Sequence, residues 1–349
     1  MKRLLLVALV ACSPSQSTTQ QATSSAPSPS PPPAVSSAPS PKVVAVDAGV
    51  KEEEPAAEPD PSYEHIVDVL GINASACGSM IGDAKIRCAI DERWKGDAKA
   101  QSLANELWAK WRIIPGVEVA HTMDGGYRGN IRLAPAVPIN DQRKHIEWIV
   151  AAMRDMDQFF DDLAKEGGAN KKGATKRYRF KPIELRFMKS LDGKRTPSAY
   201  AHDWTVAWNL EGSLHTSIDA VRETLVHEIF HLNDRAHAKG GADWWSPNVL
   251  GKEFDFAVQK CGTAIPCLTP FTPNETIVRG GTYYSYQPGN GVVEYAAELA
   301  LRYYREQRAM MRKLPKVKPF KCGPPQNARS WESMRDEFFD GIDLVPSCP

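Results

Sequence analysis

The stretch from Thr216 to His237 places the strongest constraint on how this chain can fold. Thr216 and Asp219 have the spacing of a capping box, in which two side chains bind free backbone groups at the start of a helix. Apolar residues then recur at the spacing of one helical face: Ile218, Val221, Leu225, Ile229 and Leu232. The sequence therefore predicts a largely buried helix over this stretch.

Within this helix stands the motif H-E-x-x-H, residues 227–231. At 3.6 residues per turn, His227 and His231 lie on one face, where both imidazoles can bind the same metal ion. Glu228 projects about 100° from His227, so its carboxylate can reach a water molecule that the metal activates. This arrangement is typical of a zinc hydrolase, in which the carboxylate transfers the proton of the water. The alternative is a pair of surface histidines, which the apolar character of the helix disfavours.

Two histidines leave a catalytic zinc site incomplete, because such sites use three protein ligands and keep one position for water. His237 follows His231 by six residues, a spacing that resembles the H-E-x-x-H-x-x-G-x-x-H motif of metzincins. Asp234 stands where that motif has the glycine at which the chain turns. Aspartate tolerates unusual backbone angles better than most residues, so His237 stays an alternative third ligand.

Glu294 is the other candidate for the third ligand. It lies near the start of a second predicted helix, Gly291 to Arg312, and shares a face with Glu298 one turn later. Two exposed glutamates at this spacing would repel each other slightly. Their position in an otherwise apolar helix favours a role as metal ligands.

The segment Glu294-Tyr-Ala-Ala-Glu298 follows a loop rich in tyrosine and glycine. With H-E-x-x-H it resembles the gluzincin peptidases of the anthrax-lethal-factor type, over roughly Thr216 to Arg312. The resemblance implies one zinc ion per chain, held by His227, His231 and Glu294. It also implies that Glu298 orients a ligand histidine through its ring N–H.

In that family a tyrosine shortly before the ligand glutamate stabilises the oxyanion of the reaction. Tyr286 is the closest tyrosine in position, and Tyr284 is the second candidate. The resemblance therefore implies catalytic roles for Glu228, as general base and acid, and for Tyr286. A buried structural role for Tyr286 is the alternative.

The chain begins with basic residues, eight apolar residues and Cys12. This run is too short to span a bilayer, so residues 1–12 are predicted to be a signal peptide. Its end resembles the lipobox of bacterial lipoproteins, which implies that Cys12 carries a lipid anchor. We therefore expect an exported protein attached to the cell envelope, at the outer membrane, and facing the periplasm or the exterior. An ordinary secretory signal with an incidental Cys12 is the alternative.

Residues 13–62 are rich in Ser, Pro, Ala and Thr and are predicted to be a disordered linker. The predicted folded domain is therefore 63–349, with a helical front part at 63–170 and a catalytic part at 171–349. The net charge of +1 gives no reason to expect nucleic acid as a partner. The basic run from Lys171 to Lys181 is interpreted as a solvated loop that enters a strand.

Periodicity and capping residues predict further elements in this domain. They are a helix capped by Asp97 and running to Trp111, ended by Pro115-Gly116; a strand from Tyr127 to Leu133; a helix from Asp141 to Lys165 capped by Asn140; and strands at 183–187 and 204–210.

Seven cysteines suit an exported protein. With Cys12 assigned to lipid, an even number remains for disulfides. Proximity in sequence predicts these pairs: Cys77–Cys88, Cys261–Cys267 and Cys322–Cys348. No C-x-x-C spacing occurs in the chain, which argues against a zinc site made of thiolates.

Together these features lead us to expect an α+β, zincin-like zinc metallopeptidase that cleaves peptides or proteins. A small twisted sheet would pack on the H-E-x-x-H helix, and a second helix would carry Glu294. The alternatives are a metzincin-like protease that uses His237, a zinc amidase directed at peptidoglycan, and a non-catalytic surface-binding lipoprotein.

Overall fold

The computed structural model describes residues 61–124, 129–167, 178, 182–238, 243–278, 280–289, 291–314 and 318–349. The predicted signal peptide, the linker before residue 61 and the basic run apart from Tyr178 lie outside these residues. The described residues form an α+β fold, as predicted.

Three helices open the described chain: α1 (Tyr63–Leu70), α2 (Gly82–Arg93) and α3 (Ala98–Trp111). The predicted cap of α3 is present, because the Asp97 carboxylate accepts a hydrogen bond from the Ala100 backbone N–H at 3.1 Å. The helix ends where Arg112 adopts the left-handed conformation, with φ 52°. The predicted stop at Pro115-Gly116 was wrong, since both residues belong to the next strand.

The main sheet has six strands: β1 (Ile114–Val117), β2 (His121–Asp124), β3 (Asn130–Pro135), β4 (Glu184–Ser190), β5 (Ala199–His202) and β6 (Thr205–Asn209). Their order is β2-β3-β4-β6-β5, and β1 pairs with the first half of β4 while β3 pairs with the second half. β4 is parallel to β1 and β6, whereas β5 is antiparallel to β6 and lies at an edge.

The sheet corrects two expectations about the front part of the domain. Strands β1 and β2 come from the region predicted to be helical, and with β3 they join the same sheet as β4 to β6. The strand predicted from Tyr127 to Leu133 is β3, which begins at Asn130, while residues 125–128 lie outside the described residues. The glycine at position 116 is required here, because an added Cβ would overlap the carbonyl group of Val69 in α1.

Side chains alternate between the two faces of the sheet. Leu185, Phe187 and Trp208 belong to the main core. Met188 and Ala207 belong to a smaller cluster on the other face. The sheet also curls, since the Tyr200 hydroxyl of edge strand β5 lies 3.3 Å from the His121 ring of β2.

Two long helices complete the main core: α4 (Lys144–Glu166) and α5 (Ile218–Ala236). α5 packs on β5, β6 and α4. The predicted capping residues of both helices were wrong. Ser217, one residue after Thr216, caps α5 by accepting the Ala220 N–H, and Asn140 lies in a 3-10 turn with φ 52° before α4 begins.

The last part of the chain surrounds α5. Its elements are α6 (Trp245–Cys261), the short α7 (Ile265–Leu268), the hairpin of β7 (Ile277–Val278) and β8 (Thr282–Tyr283), α8 (Gly291–Met311) and α9 (Pro325–Phe338). α8 packs on α4, α5, α6 and α9, and its bounds agree with the predicted second helix.

The three predicted disulfides are confirmed. Their Cα–Cα distances are 5.8 Å for Cys77–Cys88, 5.4 Å for Cys261–Cys267 and 5.3 Å for Cys322–Cys348. Disulfides of this kind are compatible with an exported protein. Over the part of the chain that the structure describes, none of the helices combines the length and the apolar composition that a membrane span requires.

Two buried histidines lie beside β6. The His215 ring stacks on Trp208 with ring centroids 3.8 Å apart, and the His145 ring lies 5.7 Å from His215. Burial lowers the pKa of His215 to about 3 and the pKa of His145 to about 4. Both rings are therefore neutral in the folded protein near neutral pH.

We expect these histidines to make the fold sensitive to acid. The pKa of His215 falls from 6.5 to about 3 on folding. At pH values between these two, the unfolded chain binds more protons than the folded protein does, so the folded state loses stability as the pH falls. When the pH falls from 7 to 5, the unfolding free energy should decrease in both proteins. The decrease should be on the order of 2 kcal/mol larger in wild type than in His215→Phe. Denaturant titrations at both pH values measure this difference. Equal losses would contradict the argument, and the exposed His202→Gln is the control.

Candidate metal centre

The packing of α5 against α8 brings three potential metal ligands together. His227 and His231 lie one turn apart on α5, and Glu294 lies in the first turn of α8. The two Nε2 atoms are 3.1 Å apart. Oε2 of Glu294 lies 3.2 Å from Nε2 of His227 and 3.6 Å from Nε2 of His231. Within the described residues this is the one group of three or more side chains able to hold a metal ion.

These distances fit a single metal ion. Zinc binds nitrogen and carboxylate oxygen at about 2.0–2.2 Å with tetrahedral geometry, so two of its ligand atoms lie about 3.3 Å apart. The three distances between ligand atoms, 3.1, 3.2 and 3.6 Å, bracket that value. Two imidazoles and one carboxylate also form a donor set that catalytic zinc uses, with a fourth position left open. The residues present therefore fit a metal centre.

Glu298 contacts the group through the second ring nitrogen of His227. Its Oε1 lies 3.3 Å from Nδ1 of His227, the ring nitrogen opposite the one that faces Glu294. A proton on Nδ1 that is donated to Glu298 leaves Nε2 of His227 free to bind a metal. The other carboxylate oxygen of Glu298 accepts a hydrogen bond from the Asn274 side-chain amide. Glu298 thus fixes both the ring orientation and the tautomer of His227.

The segment after the Cys261–Cys267 disulfide holds this support in place. In addition to Asn274, it contributes the Thr269 hydroxyl, which lies 2.9 Å from the Tyr283 hydroxyl. It also contributes the Phe271 carbonyl, which accepts a hydrogen bond from the Tyr286 hydroxyl at 3.1 Å. One stretch of chain therefore fastens both the tyrosine-rich loop and Glu298.

Glu228 follows the first ligand histidine and is buried. Burial raises the pKa of its carboxyl, while His227 and His231 oppose this rise. A carboxyl with a raised pKa exchanges protons more readily near neutral pH than an exposed glutamate does. Burial also raises the pKa of Glu294, but its hydrogen bonds to the two histidines outweigh burial and lower it overall.

The structure places Tyr284, and not Tyr286, beside the group. Tyr286 is buried, its hydroxyl binds the Phe271 carbonyl, and its ring stacks on Phe254, so it does not face the group. Tyr284 lies beside the group, with its ring centroid 6.1 Å from that of His227. Burial and then the Glu294 and Glu228 carboxylates raise the pKa of its hydroxyl. The hydroxyl is protonated at neutral pH, as in an ordinary tyrosine, and can donate a hydrogen bond.

The alternative ligand His237 lies away from the group. It follows the last residue of α5, its Nδ1 lies 2.8 Å from Oε1 of Glu337, and its ring packs on Phe338 of α9. The predicted alternative was therefore wrong about the position of His237. Asp234, which replaces the metzincin glycine, lies within α5 and binds Ser246 of α6 instead of turning the chain.

Sequence reasoning missed Asn274, because no local pattern marks a residue that contacts Glu298 from 24 positions away. Tyr284 and Tyr286 belong to one 3-10 turn, where a shift of two residues turns a side chain to another side. No protein-family model, no curated protein and no solved structure matches this chain.

We expect Glu298→Gln to weaken metal binding by about 10–100-fold, because the neutral amide holds the His227 N–H less strongly than a carboxylate does. Zinc affinity, measured by competition with a chromogenic chelator, tests this. Glu253→Gln is the matched control, since Glu253 of α6 is also a buried glutamate, but it pairs with Arg329 of α9 at 2.7 Å instead of with a histidine. Equal zinc affinities in the two variants would show that Glu298 does not support His227.

Proposed function

We propose that this chain is a zinc metallopeptidase of the gluzincin type. The observation that carries the proposal is the convergence of His227, His231 and Glu294, with Glu228 and Glu298 on the same two helices. Two histidines, a carboxylate and a neighbouring glutamate suit hydrolysis better than a structural metal site, which would close the fourth position with a protein ligand.

A zinc ion bound here would supply Lewis-acid chemistry, which polarises a peptide carbonyl and lowers the pKa of water. Glu228 would transfer the proton in this reaction. Its carboxylate accepts a proton as water attacks the carbonyl carbon and then donates that proton to the departing amine. Because the two ligand histidines flank it on α5, the carboxylate stays close to the reacting atoms.

Tyr284 supplies the hydrogen-bond donor for the oxyanion in this proposal, in place of Tyr286. Its hydroxyl is protonated at neutral pH, as that of an ordinary tyrosine is, and its ring lies beside His227. Donors placed where negative charge develops contribute more than donors to the ground state, because they need no rearrangement during the reaction.

The edge of the sheet offers a place for an extended peptide. β5 is an antiparallel edge strand, and α5, which carries both ligand histidines, packs directly against it. A peptide that paired with the free edge of β5 would run beside the metal group, as in the β-addition mode of zincin peptidases. This layout supports a zincin-like fold and a peptide or protein substrate.

We further propose that the enzyme is a lipoprotein of the cell envelope, attached to a membrane through Cys12. The supporting observations are the lipobox-like sequence at residues 9–12 and the three disulfides. The long Ser/Pro-rich linker would let the enzyme reach substrates at a distance from that membrane.

Peptide hydrolysis tests the function. Zinc-loaded wild type should cleave members of a mixed peptide library, as detected by mass spectrometry, and Glu228→Gln should lower kcat by about 10²–10⁴-fold without loss of zinc. Asp219→Asn, an exposed change on the same helix, should keep full activity. Cleavage of peptidoglycan fragments but not of peptides would favour the amidase, and no turnover with zinc bound would favour a binding lipoprotein.

The two tyrosines give a separate test. Tyr284→Phe should lower kcat by about 10²–10³-fold through loss of an oxyanion donor. Tyr286→Phe should leave kcat within about twofold and lower the unfolding free energy by about 1 kcal/mol, because it loses the bond to Phe271. Steady-state kinetics and denaturant titration of both variants measure these effects. The reverse pattern would return the role to Tyr286.

A further inference from the structure

Asp234 joins α6 to the helix that carries the ligand histidines. It lies three residues after His231 and is fully buried. Its carboxylate accepts hydrogen bonds from the Ser246 backbone N–H at 2.7 Å, from the Ser246 hydroxyl at 2.6 Å and from the Trp245 backbone N–H. α6 has no capping side chain of its own, so α5 supplies the missing cap. The first turn of α6 is thereby fixed relative to His231.

The two tryptophans at the start of α6 have different surroundings. Trp245 is 2% exposed and packs on Phe338 with ring centroids 4.9 Å apart. Trp244 is only partly buried, and its ring lies 6.4 Å from the ring of His231 at an interplanar angle of 83°. Trp245 anchors the helix in the core, and Trp244 keeps an accessible surface next to a metal ligand.

Aromatic rings therefore flank the metal group from two elements. Tyr284 lies beside His227 and Trp244 lies beside His231. Trp244, next to the second of these histidines, is partly exposed. An indole offers a broad apolar surface, which favours aromatic and large aliphatic partners over small or strongly hydrated ones.

We propose that Trp244 is a specificity-determining wall of the substrate cleft, which selects a large apolar side chain next to the scissile bond. Asp234 is the positioning residue that holds Trp244 beside His231. This inference rests on the metal-dependent function proposed above for the same site. It adds the class of substrate side chain that the site accepts, and it names Asp234 as the buried residue that positions Trp244 for this selection.

Ligand binding tests the proposal without turnover. The purified full-length protein is loaded with zinc and titrated by calorimetry with the hydroxamates of alanine, phenylalanine and lysine, which share one zinc-binding group. Wild type should bind the phenylalanine compound about tenfold more tightly than the alanine compound. Trp244→Ala should reduce this ratio to within about twofold, and Trp244→Phe should retain most of it.

Positioning by Asp234 is tested in the same assay. Asp234→Asn should lose the preference for phenylalanine and keep its zinc, whereas a purely structural cap would lower the melting temperature without changing the ratio of affinities. If Asp234→Asn does not fold, Ser246→Ala, which removes one of the donors, should lose part of the preference. Asp203→Asn is the control, because it removes an exposed ion pair with Arg235 on the same helix.

An unchanged ratio in Trp244→Ala, or a wild type that prefers the lysine compound, would overturn the inference. A zinc-loaded wild type that prefers phenylalanine but hydrolyses no peptide would reject the peptidase and leave this inference standing. A wild type that binds no zinc would reject both.

Discussion

The contact between α5 and α8 is the interaction on which the candidate site depends. It places a carboxylate within 3.6 Å of two buried imidazoles that lie more than sixty residues earlier in the chain. Ion pairs fasten the same helices, with Arg305 of α8 bound to Glu223 of α5 at 2.6 Å, and Arg308 of α8 and Arg222 of α5 bound to Asp155 at 3.0 and 2.9 Å. The geometry of the metal group follows from this helix pair.

Much of this pair could be predicted from sequence, because the information is local. H-E-x-x-H and the Glu294/Glu298 spacing both use the pitch of a helix, and apolar periodicity identified each helix. Properties that depend on distant contacts could not be predicted. Pro115 and Gly116 suggest a break, yet pairing with β4 makes them a strand. Tyr284, and not Tyr286, lies beside the group, because side-chain direction in an irregular loop depends on the packing around it.

The chain between α5 and α8 contacts the candidate site at two places. Asp234 of α5 caps the first turn of α6. The segment after the Cys261–Cys267 disulfide contains Asn274, whose amide donates a hydrogen bond to Glu298. Asn274 thus holds Glu298, whose carboxylate lies at His227, while Trp244 lies at His231. The chain between α5 and α8 therefore contacts both the carboxylate beside His227 and the ring of His231.

The most direct test of the proposed ligand set is the zinc content of purified full-length wild type, Glu294→Ala and His237→Ala, determined by elemental analysis after metal reconstitution. We expect one zinc per chain in wild type and in His237→Ala, and loss of zinc in Glu294→Ala, because Glu294 completes the proposed ligand set while His237 binds Glu337. Zinc retained by Glu294→Ala, or absent from wild type, would contradict it.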